Sequence, residues 1–572
     1  MDTRHGFGRT FSRREFLRFG FLAGMASVGR WDAARTADSR GEARGQRVPA
    51  PRDLLLFNGR IYTMDPRNPR ASVVLIQGGR IAYVGNALPA RGLGARQVDL
   101  GGRAVIPGII DNHNHIALLA NRPGYHTPLE NCTSIREVQE TLAARAVSAP
   151  PGAFLTTIGG FHFNQFTERR LPTRRELDEA VPRHPVYLSI GFSGPSVTNS
   201  LGQRFFSERG IPVREDGAIA AGEASNRALL VLRRELLNPE ERRRGALDAL
   251  RYGLSLGVTT HLDQGAFQAT NTPQDGAAHE DNFTMHRPFL ELHAEGKLPA
   301  RIRINFLHTD LSPEVPTLRG RLRNSFPHFG DEWVRTVGIG EFTAGDPFEL
   351  FAHAEPSEAW RVGTRLVAAA GWRNENHSLT RTDYQAIIRG WEEVDREFPI
   401  GGLRWVLAHV PFITREWVER LKALGGGLSL TGWRYLAGTR EANGPPFRMI
   451  VESGIPVGLS SDGMQIAPMN PWLHIYYATT GVNARGEPIN EEQRISREEA
   501  LRLYTRANGW FLREEEHLGS LEVGKWADLV VLNLDPFQVP DEGLKRIRSL
   551  LTLVGGRVVH DEGLLRIPHP ER

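Results

Sequence analysis

Short β-rich runs separated by Gly and Asn turns occur near both ends of the chain. From residue 53 the sequence reads DLLLFNGRIYTMD, ASVVLIQGGRIAYVG and ARQVDLGGRAVIPG. The same pattern of short apolar runs and turns occurs in GSLEVGKWADLVVLNLD and SLLTLVGGRVVHDEG, between residues 519 and 563. Runs of this kind are typical of short strands joined by turns. We therefore predict that 53–106 and 515–565 join into one small β-sandwich.

Between these ends, apolar strand-like runs alternate with helical stretches such as REEALRLYTRANGWFL. This alternation is typical of a parallel sheet or barrel. We predict an α/β fold in which 107–510 form a (β/α)8 TIM barrel. Its candidate strands lie at 104–111, 257–263, 301–306, 335–341, 371–377, 403–409, 426–430 and 455–462. The segment 150–215, which includes HPVYLSIGF, is then an insertion after the first strand, where it can cover an active site at the carboxyl ends of the strands.

Composition and charge narrow the classes of function. A chain of 572 residues with 40% hydrophobic and 24% charged residues indicates a soluble globular protein with a large domain and a smaller unit. Residues 1–37 contain seven Arg and three acidic residues, and the remainder contains 63 basic and 63 acidic residues, so the net charge of +4 belongs to the leader. No nucleic-acid partner is expected without a basic stripe elsewhere. Because Cys132 is the only cysteine, any metal must be held by His and carboxylates.

Residues 1–45 are predicted to be a leader and linker. SRREFLR at 12–18 precedes a modest apolar stretch, FGFLAGMASVG, which Arg30 follows. The pair Arg13 and Arg14 before a small-residue apolar region is typical of a twin-arginine export signal, and a basic amphipathic N-terminus is the alternative. The apolar stretch is too short to span a membrane stably. We expect export by the twin-arginine machinery to the periplasm or the medium.

His113 and His115 follow PGIIDN at the end of the first candidate barrel strand. Residues two apart in an extended chain point to the same side, so both imidazoles can face one metal ion in the barrel mouth. An HxH pair alone is often surface histidine. Its place after an apolar strand and a predicted β-sandwich favours the metal interpretation.

Four further candidate strands end near groups that can bind metals. Glu341 closes VGIGE, His377 closes WRNENH, His409 closes WVLAH and Asp462 closes GLSSD. A single buried His at a strand end is more often a hydrogen-bonded structural residue, but several such ends that converge favour a metal site. Imidazoles with a carboxylate suit zinc, or another divalent transition ion, better than magnesium or calcium.

The sequence resembles the amidohydrolase superfamily and, within it, the amidohydrolase 3 family of YtcJ-like proteins. The resemblance covers nearly everything from 53 to 563 and is carried by GGRAVIPGIIDNHNH, GVTTHLD, the His377 and His409 strand ends, VGLSSD with the downstream NPW, and LGSLEVGKWADLVVLNLD. It implies a metal-dependent hydrolase that cleaves a non-peptide C–N bond, in an amide, N-acyl or cyclic amide group, with a metal-activated water. It also implies that His113, His115, His377 and His409 bind the metal and that Asp462 is the base.

The sequence departs from the family at three places. Many relatives carry a Lys at the end of the fourth strand, whereas TVGIGEF offers only Glu341, either as a metal ligand or as a buried Glu paired with an Arg; one or two metal ions are therefore open. The segment SGPSVTNSLG in the insertion lacks a His that relatives carry. The segment TGWRYL after the seventh strand lacks another. These losses leave the substrate open.

Four residues are candidates for contact with a small-molecule substrate. Trp433 and Tyr435 suggest a pocket with aromatic faces, with plain loop packing as the alternative. His162 and Asn164, in FHFNQF, could orient a substrate or be structural. His261, beside Asp263, could support a metal ligand, although core packing is the more common role.

Two further functions remain open at this stage. An esterase or lactonase could use the same water, and a non-catalytic metal or small-molecule binding protein could use the same barrel. The retained Asp462 favours an enzyme, because a binding protein needs no base beside the metal. The oligomeric state, including a homo-oligomer, is also open.

Overall fold

A computed structural model of the protein describes residues 53–90, 94–265, 284–345, 355–464 and 466–565. The predicted export signal, with Arg13 and Arg14, lies outside the described residues. Within the described ranges, no helix is long and apolar enough to cross a membrane.

Eight parallel strands form the central sheet, which confirms the predicted (β/α)8 barrel. In chain order they are β8 (Ile109–Asn114), β14 (Val258–Asp263), β15 (Arg301–Phe306), β16 (Val334–Ile339), β17 (Arg373–Ser378), β18 (Val406–His409), β19 (Gly427–Thr431) and β20 (Val457–Ser460). The first and last strands meet at their carboxyl ends, where Asp462 N–H donates to His113 O at 2.9 Å and His115 N–H donates to Gly463 O at 2.9 Å.

The predicted first strand, 104–111, is two strands. Ala104–Pro107 (β7) pairs outside the barrel, and β8 begins at Ile109. Gly108 separates them, because a Cβ atom there would lie 2.2 Å from the Oγ1 atom of Thr259. The chain therefore changes sheets at a position where only glycine fits, which the continuous apolar run AVIPGII does not reveal.

Amphipathic helices alternate with the barrel strands. Helix Arg381–Glu397 begins at a capping box between Thr380 and Asp383 and buries an apolar face that includes Ile387 and Trp391. Apart from the helices described below with the other sheets, the helices between and after the barrel strands are Ile116–Ala120, Pro239–Ser255, Arg287–Ala294, Pro316–Asn324, Glu358–Ala369, Arg381–Glu397, Arg415–Ala423, Arg434–Ala437, Phe447–Ser453, Pro471–Thr480, Arg497–Tyr504 and Gly509–Leu512, with 3-10 turns at Glu491–Gln493 and Arg506–Asn508.

Strands from both chain ends pair in one six-stranded sheet. It has the order β23-β22-β21-β7-β2-β3, from β2 (Arg60–Tyr62), β3 (Arg70–Ala71), β7, β21 (Leu529–Leu532), β22 (Ser549–Val554) and β23 (Arg557–Asp561). A four-stranded sheet has the order β5-β4-β1-β6, from β1 (Leu54–Phe57), β4 (Val73–Gln77), β5 (Arg80–Gly85) and β6 (Arg96–Asp99). Both sheets contribute to one buried apolar cluster, with Leu56 and Val74 from one and Val531 and Leu551 from the other. A short helix, Asp541–Leu544, lies between β21 and β22.

A five-stranded sheet lies between the first two barrel strands in sequence. Its order is β13-β12-β11-β10-β9, from β9 (Tyr125–His126), β10 (Leu155–Ile158), β11 (Val186–Ser189), β12 (Ser196–Thr198) and β13 (Ala218–Ile219). HPVYLSIGF thus supplies β11 of this sheet. The accompanying helices are Ile135–Ser148, Arg174–Ala180, Ser200–Ser207 and Glu223–Leu236, with a 3-10 turn at Phe163–Gln165.

Candidate metal centre

The carboxylate of Glu341 lies among four imidazoles at the carboxyl end of the barrel. Its oxygens are 3.3 Å from Nε2 of His113, 3.3 Å from Nε2 of His115, 3.0 Å from Nδ1 of His377 and 3.4 Å from Nε2 of His409. The partners of Glu341 are thus imidazoles rather than the arginine of the alternative interpretation.

His113 and His115 face the same side of β8, as the two-residue period requires. Both are fully buried, and their ring centroids are 5.8 Å apart. The intervening Asn114 bonds elsewhere, to Asp111 at 3.0 Å and to Nδ1 of His261 at 3.0 Å. The strand geometry therefore points two imidazoles into the barrel mouth.

Asp462 approaches the same histidines from the last strand. Its Oδ1 atom is 3.2 Å from Nε2 of His115 and 3.7 Å from Nε2 of His113. Its backbone is left-handed, with φ at 56°, and that of His409 is left-handed as well, with φ at 70°. Non-glycine residues in this region carry strain of about 1–3 kcal/mol each and cluster at functional sites.

The donor atoms fit a divalent ion. Nε2 of His113 and Nε2 of His115 are buried without a protein hydrogen-bond partner, a costly state that a metal ion would relieve. Two groups of residues each bring their ligand atoms within 4.8 Å of one another. One group is His113, His115 and Asp462, and the other is His113, Glu341 and His409. Imidazole with carboxylate is a donor set of divalent transition ions. His377 belongs to neither group; its Nδ1 atom lies 3.0 Å from Glu341, and its role as a metal ligand stays a prediction.

Burial and charge oppose each other in this cluster. Burial alone would lower the pKa of His113, but the carboxylates of Glu341 and Glu375 raise it to about 10. Burial would raise the pKa of Glu341, but His377 and the other imidazoles hold it well below its usual range. The pKa of Asp462 is lowered against burial by His409 and His115. Both carboxylates are therefore ionised at neutral pH, as ligation or proton acceptance requires.

Residues that the sequence analysis missed orient the two β8 histidines. Nδ1 of His113 donates to Glu375 at 2.6 Å, and Arg373 in turn binds Glu375 at 2.5 Å. Nδ1 of His115 donates to the backbone oxygen of Gly265 at 2.7 Å. Such bonds fix the ring tautomer and direct Nε2 at a metal. Glu375 stands two residues before His377 in the same strand, and that spacing was the available signal.

The four candidate substrate residues are engaged in different ways. Nδ1 of His162 accepts from the backbone of Asn164, whose amide donates to Leu436 O and accepts from Arg485. Tyr435 is 5% exposed and packs against Tyr476, with ring centroids 6.2 Å apart. All three side chains thus have contacts within the protein, and their contact with a substrate stays a prediction.

Trp433 differs from these three. It follows Thr431, whose hydroxyl is 2.7 Å from Nδ1 of His409, and its indole nitrogen has no hydrogen-bond partner. The guanidinium of Arg434 lies 4.0 Å from the centroid of its ring. The indole N–H of Trp433 is therefore available as a donor, two positions along the chain from Thr431, which contacts His409.

His261 is fully buried, and its neighbour Asp263 binds His286 at 2.7 Å. Asp263 also accepts from the backbone N–H of Gly265 at 2.8 Å, whose oxygen holds His115. Support for His115 thus runs through Asp263. The side chain of His261 contacts Asn114 of β8, and burial lowers the pKa of His261 to about 3.

Comparison with known proteins finds relatives that match most of the chain. The chain is 26% identical over 555 residues to the N-substituted formamide deformylase of Arthrobacter pascens, covering 88% of this chain and 98% of that one. It is 22% identical to the putative amidohydrolase YtcJ of Bacillus subtilis, over 88% and 98% of the two chains. Among solved structures, an uncharacterized metal-dependent hydrolase from Pyrococcus horikoshii superposes with a TM-score of 0.58 at 21% identity, over 86% of this chain and 99% of that one.

A second solved structure has the same fold. Atrazine chlorohydrolase TrzN from Arthrobacter aurescens, complexed with zinc, superposes with a TM-score of 0.53 at 18% identity, over 89% and 95% of the two chains. The model of the amidohydrolase family matches residues 96–560. The chain therefore belongs to the amidohydrolase family and is an enzyme that hydrolyses carbon–nitrogen bonds other than peptide bonds.

Proposed function

We propose that the protein hydrolyses an N-substituted amide, with an N-substituted formamide as the first substrate class to test, in a reaction that needs a divalent metal. The observation that carries this proposal is the placement of the Glu341 carboxylate among four imidazoles, with Asp462 beside His115. His113, His115, Glu341, His409 and Asp462 would hold the ion, and zinc fits their donor atoms.

A bound divalent ion supplies a water of lowered pKa and a Lewis acid for the substrate carbonyl. Asp462 accepts a proton from the attacking water on a carboxylate oxygen while the water oxygen bonds to the carbonyl carbon. The same proton then passes from Asp462 to the leaving nitrogen as the C–N bond breaks, which releases a carboxylic acid and an amine. The lowered pKa of Asp462 supports this role, because the group starts as a proton acceptor at neutral pH.

Trp433 is proposed to contact the substrate. Its indole N–H lacks a protein acceptor and can donate to a carbonyl or another acceptor of the substrate. The formamide class is supported by the similarity to the Arthrobacter pascens deformylase, which extends over nearly the whole of both chains. An ester or lactone would need the same water and base, so these substrates are the competing class.

One experiment tests the reaction and the metal together. The purified protein is subjected to elemental analysis and then supplied with N-benzylformamide, N-benzylacetamide and the corresponding formate ester and lactone series. We expect a bound divalent ion, release of amine from at least one amide, and loss of both in His113→Ala. Preference for every ester over its amide, or full turnover without metal, would contradict the proposal.

We also propose that the protein acts in the periplasm or the medium after twin-arginine export. The support is the sequence of residues 12–29, where Arg13 and Arg14 precede a short apolar stretch rich in small residues. Because this route carries folded proteins, the metal could be loaded before export.

A further inference from the structure

A cavity separate from the candidate metal centre lies beside helix Pro239–Ser255. Its volume is about 350 Å³, and it opens between this helix, the segment after β8 and Arg145. Leu119, Pro128 and Ala249 form an apolar part of its wall. None of the six residues around the candidate metal centre lines it. The volume is at the lower end of the range of small-molecule pockets, about 300–1,000 Å³.

The charged lining has an excess of arginine. Arg122, Arg145, Arg244 and Arg251 line the cavity together with one carboxylate, that of Asp248. Arg145 and Arg244 share a single oxygen of that carboxylate, Oδ2, at 2.5 and 3.1 Å. Arg244 also pairs with Glu241, a carboxylate outside the lining. A partly enclosed excess of positive charge favours an anion.

His126 presents both of its ring nitrogens without a protein partner. Nδ1 and Nε2 are each buried and neither has a hydrogen bond, although the residue stands at the end of β9 in the cavity wall. The pKa of His126 is well below its usual range because of burial and of the charges of Arg122 and Arg145, so the ring is neutral. A neutral imidazole offers one N–H donor and one acceptor. A structural histidine would use at least one of them, so the ring has the geometry of a ligand contact.

We propose that this cavity binds a small organic carboxylate. The carboxylate end would lie against Arg145, Arg244 and the N–H of His126, and the apolar end against Leu119, Pro128 and Ala249. The planar fork of a guanidinium matches the two oxygens of a carboxylate, and two arginines that share one oxygen of Asp248 retain N–H groups for a second anion. The apolar wall favours a carboxylate with a hydrocarbon body over inorganic phosphate.

Titration calorimetry with benzoate as the probe tests the site. We expect the wild-type protein to bind benzoate and not benzyl alcohol, which has the same ring and no charge. His126→Phe should weaken benzoate binding at least about tenfold, as expected for one lost hydrogen bond to a charged group. This variant should fold, because neither nitrogen of His126 bonds to the protein.

A second pair of variants separates charge from shape. Arg145→Gln should also weaken benzoate binding about tenfold or more, while Asp248 keeps its contact with Arg244. Arg175→Gln removes the same charge from an exposed side chain that does not line the cavity, and should leave the affinity unchanged.

Benzoate could instead bind a metal ion at the candidate metal centre. His113→Ala should therefore bind benzoate as the wild-type protein does. Loss of binding in His113→Ala with normal binding in His126→Phe and Arg145→Gln would overturn the proposal. So would equal binding of benzoate and benzyl alcohol, or no binding of benzoate by the wild-type protein.

Discussion

Glu375 accepts a hydrogen bond from Nδ1 of His113 at 2.6 Å, and both side chains are fully buried. The bond holds a proton on Nδ1, so Nε2, which faces Glu341 and Asp462, is the nitrogen that a metal ion would bind in place of the second proton. Glu375 is itself held by Arg373 and by Asn305 at 3.2 Å. A histidine oriented in this way is prepared to bind a metal ion before the ion arrives.

Glu375→Gln should therefore weaken metal binding without removing a metal ligand. A glutamine can turn its NH2 group towards Nδ1 and reverse the tautomer, and loss of such a support typically costs about 10- to 100-fold in metal affinity or activity. The measurement is the metal dissociation constant by competition with a chelator, with circular dichroism to verify the fold. Glu392→Gln, which removes an ion pair with Arg420 on a barrel helix, is the control. Unchanged metal affinity in Glu375→Gln would show that the bond is only structural.

Asp462→Asn should separate catalysis from metal binding. Asparagine is nearly isosteric and tolerates the left-handed backbone found at this position, so the fold and the histidines remain in place. The proton acceptor is lost, and general base catalysis typically contributes about 100- to 10,000-fold. We expect turnover of the best amide substrate to fall by that order while bound metal, measured on the same preparation, is largely retained. Near-normal turnover with a lowered melting temperature would assign Asp462 to a turn cap instead.

The sequence predicted the barrel well because several of its strands are short apolar runs, such as VLAH and VGLS, and because strand-like and helical segments alternate. All eight candidate strands overlap barrel strands in the structure. The start of the first barrel strand could not be predicted from the sequence. The chain changes sheets at Gly108 because Thr259, which is distant in sequence, lies against it.

The six residues around the candidate metal centre were also found from strand ends, since the carboxyl ends of parallel strands meet at one edge of a barrel. The residues that orient these side chains were not found from the sequence. Glu375 and Gly265 act through contacts that only the closed barrel creates, and the pattern RNENH presents Glu375 as one of several polar residues. The contact between Tyr435 and Tyr476 was not predictable either, because it depends on helix packing that residue type does not specify.

The export hypothesis predicts where the protein accumulates. Arg13→Lys with Arg14→Lys should leave the protein in the cytoplasm, because the paired arginines are the part of the signal that the export receptor reads. Arg4→Lys with Arg9→Lys makes the same chemical change outside the pair and should not affect export. Immunoblots of periplasmic and cytoplasmic fractions give the result. Full export of the Arg13 and Arg14 double variant would show that the leader is not a twin-arginine signal.

Glu130 makes the free energy of unfolding depend on pH, and it does so away from the residues of the candidate metal centre. This carboxylate is 3% exposed, accepts a bond from the hydroxyl of Tyr252 and accepts another from the backbone N–H of Met469 at 2.6 Å. Burial raises the pKa of Glu130 from 4.5 to about 7. Because the folded state holds this proton more tightly than the unfolded chain, folding loses free energy as the pH rises from about 4.5 to about 7, and the loss is complete above that window.

Glu130→Gln should remove this dependence. Its amide oxygen can still accept from Met469, and its NH2 group can donate to Tyr252, since a tyrosine hydroxyl both donates and accepts. A shift from 4.5 to about 7 corresponds to a penalty on the order of 3 kcal/mol at alkaline pH and none in acid. The free energy of unfolding of the variant, relative to the wild type, should therefore increase by that order between acid and alkaline urea titrations. Glu140→Gln, which changes an exposed carboxylate paired with Arg136, controls for the lost charge and should show no such trend. If the difference between Glu130→Gln and the wild-type protein stayed constant with pH, Glu130 would have to ionise at its ordinary pKa, and its two hydrogen bonds would then outweigh the cost of burial.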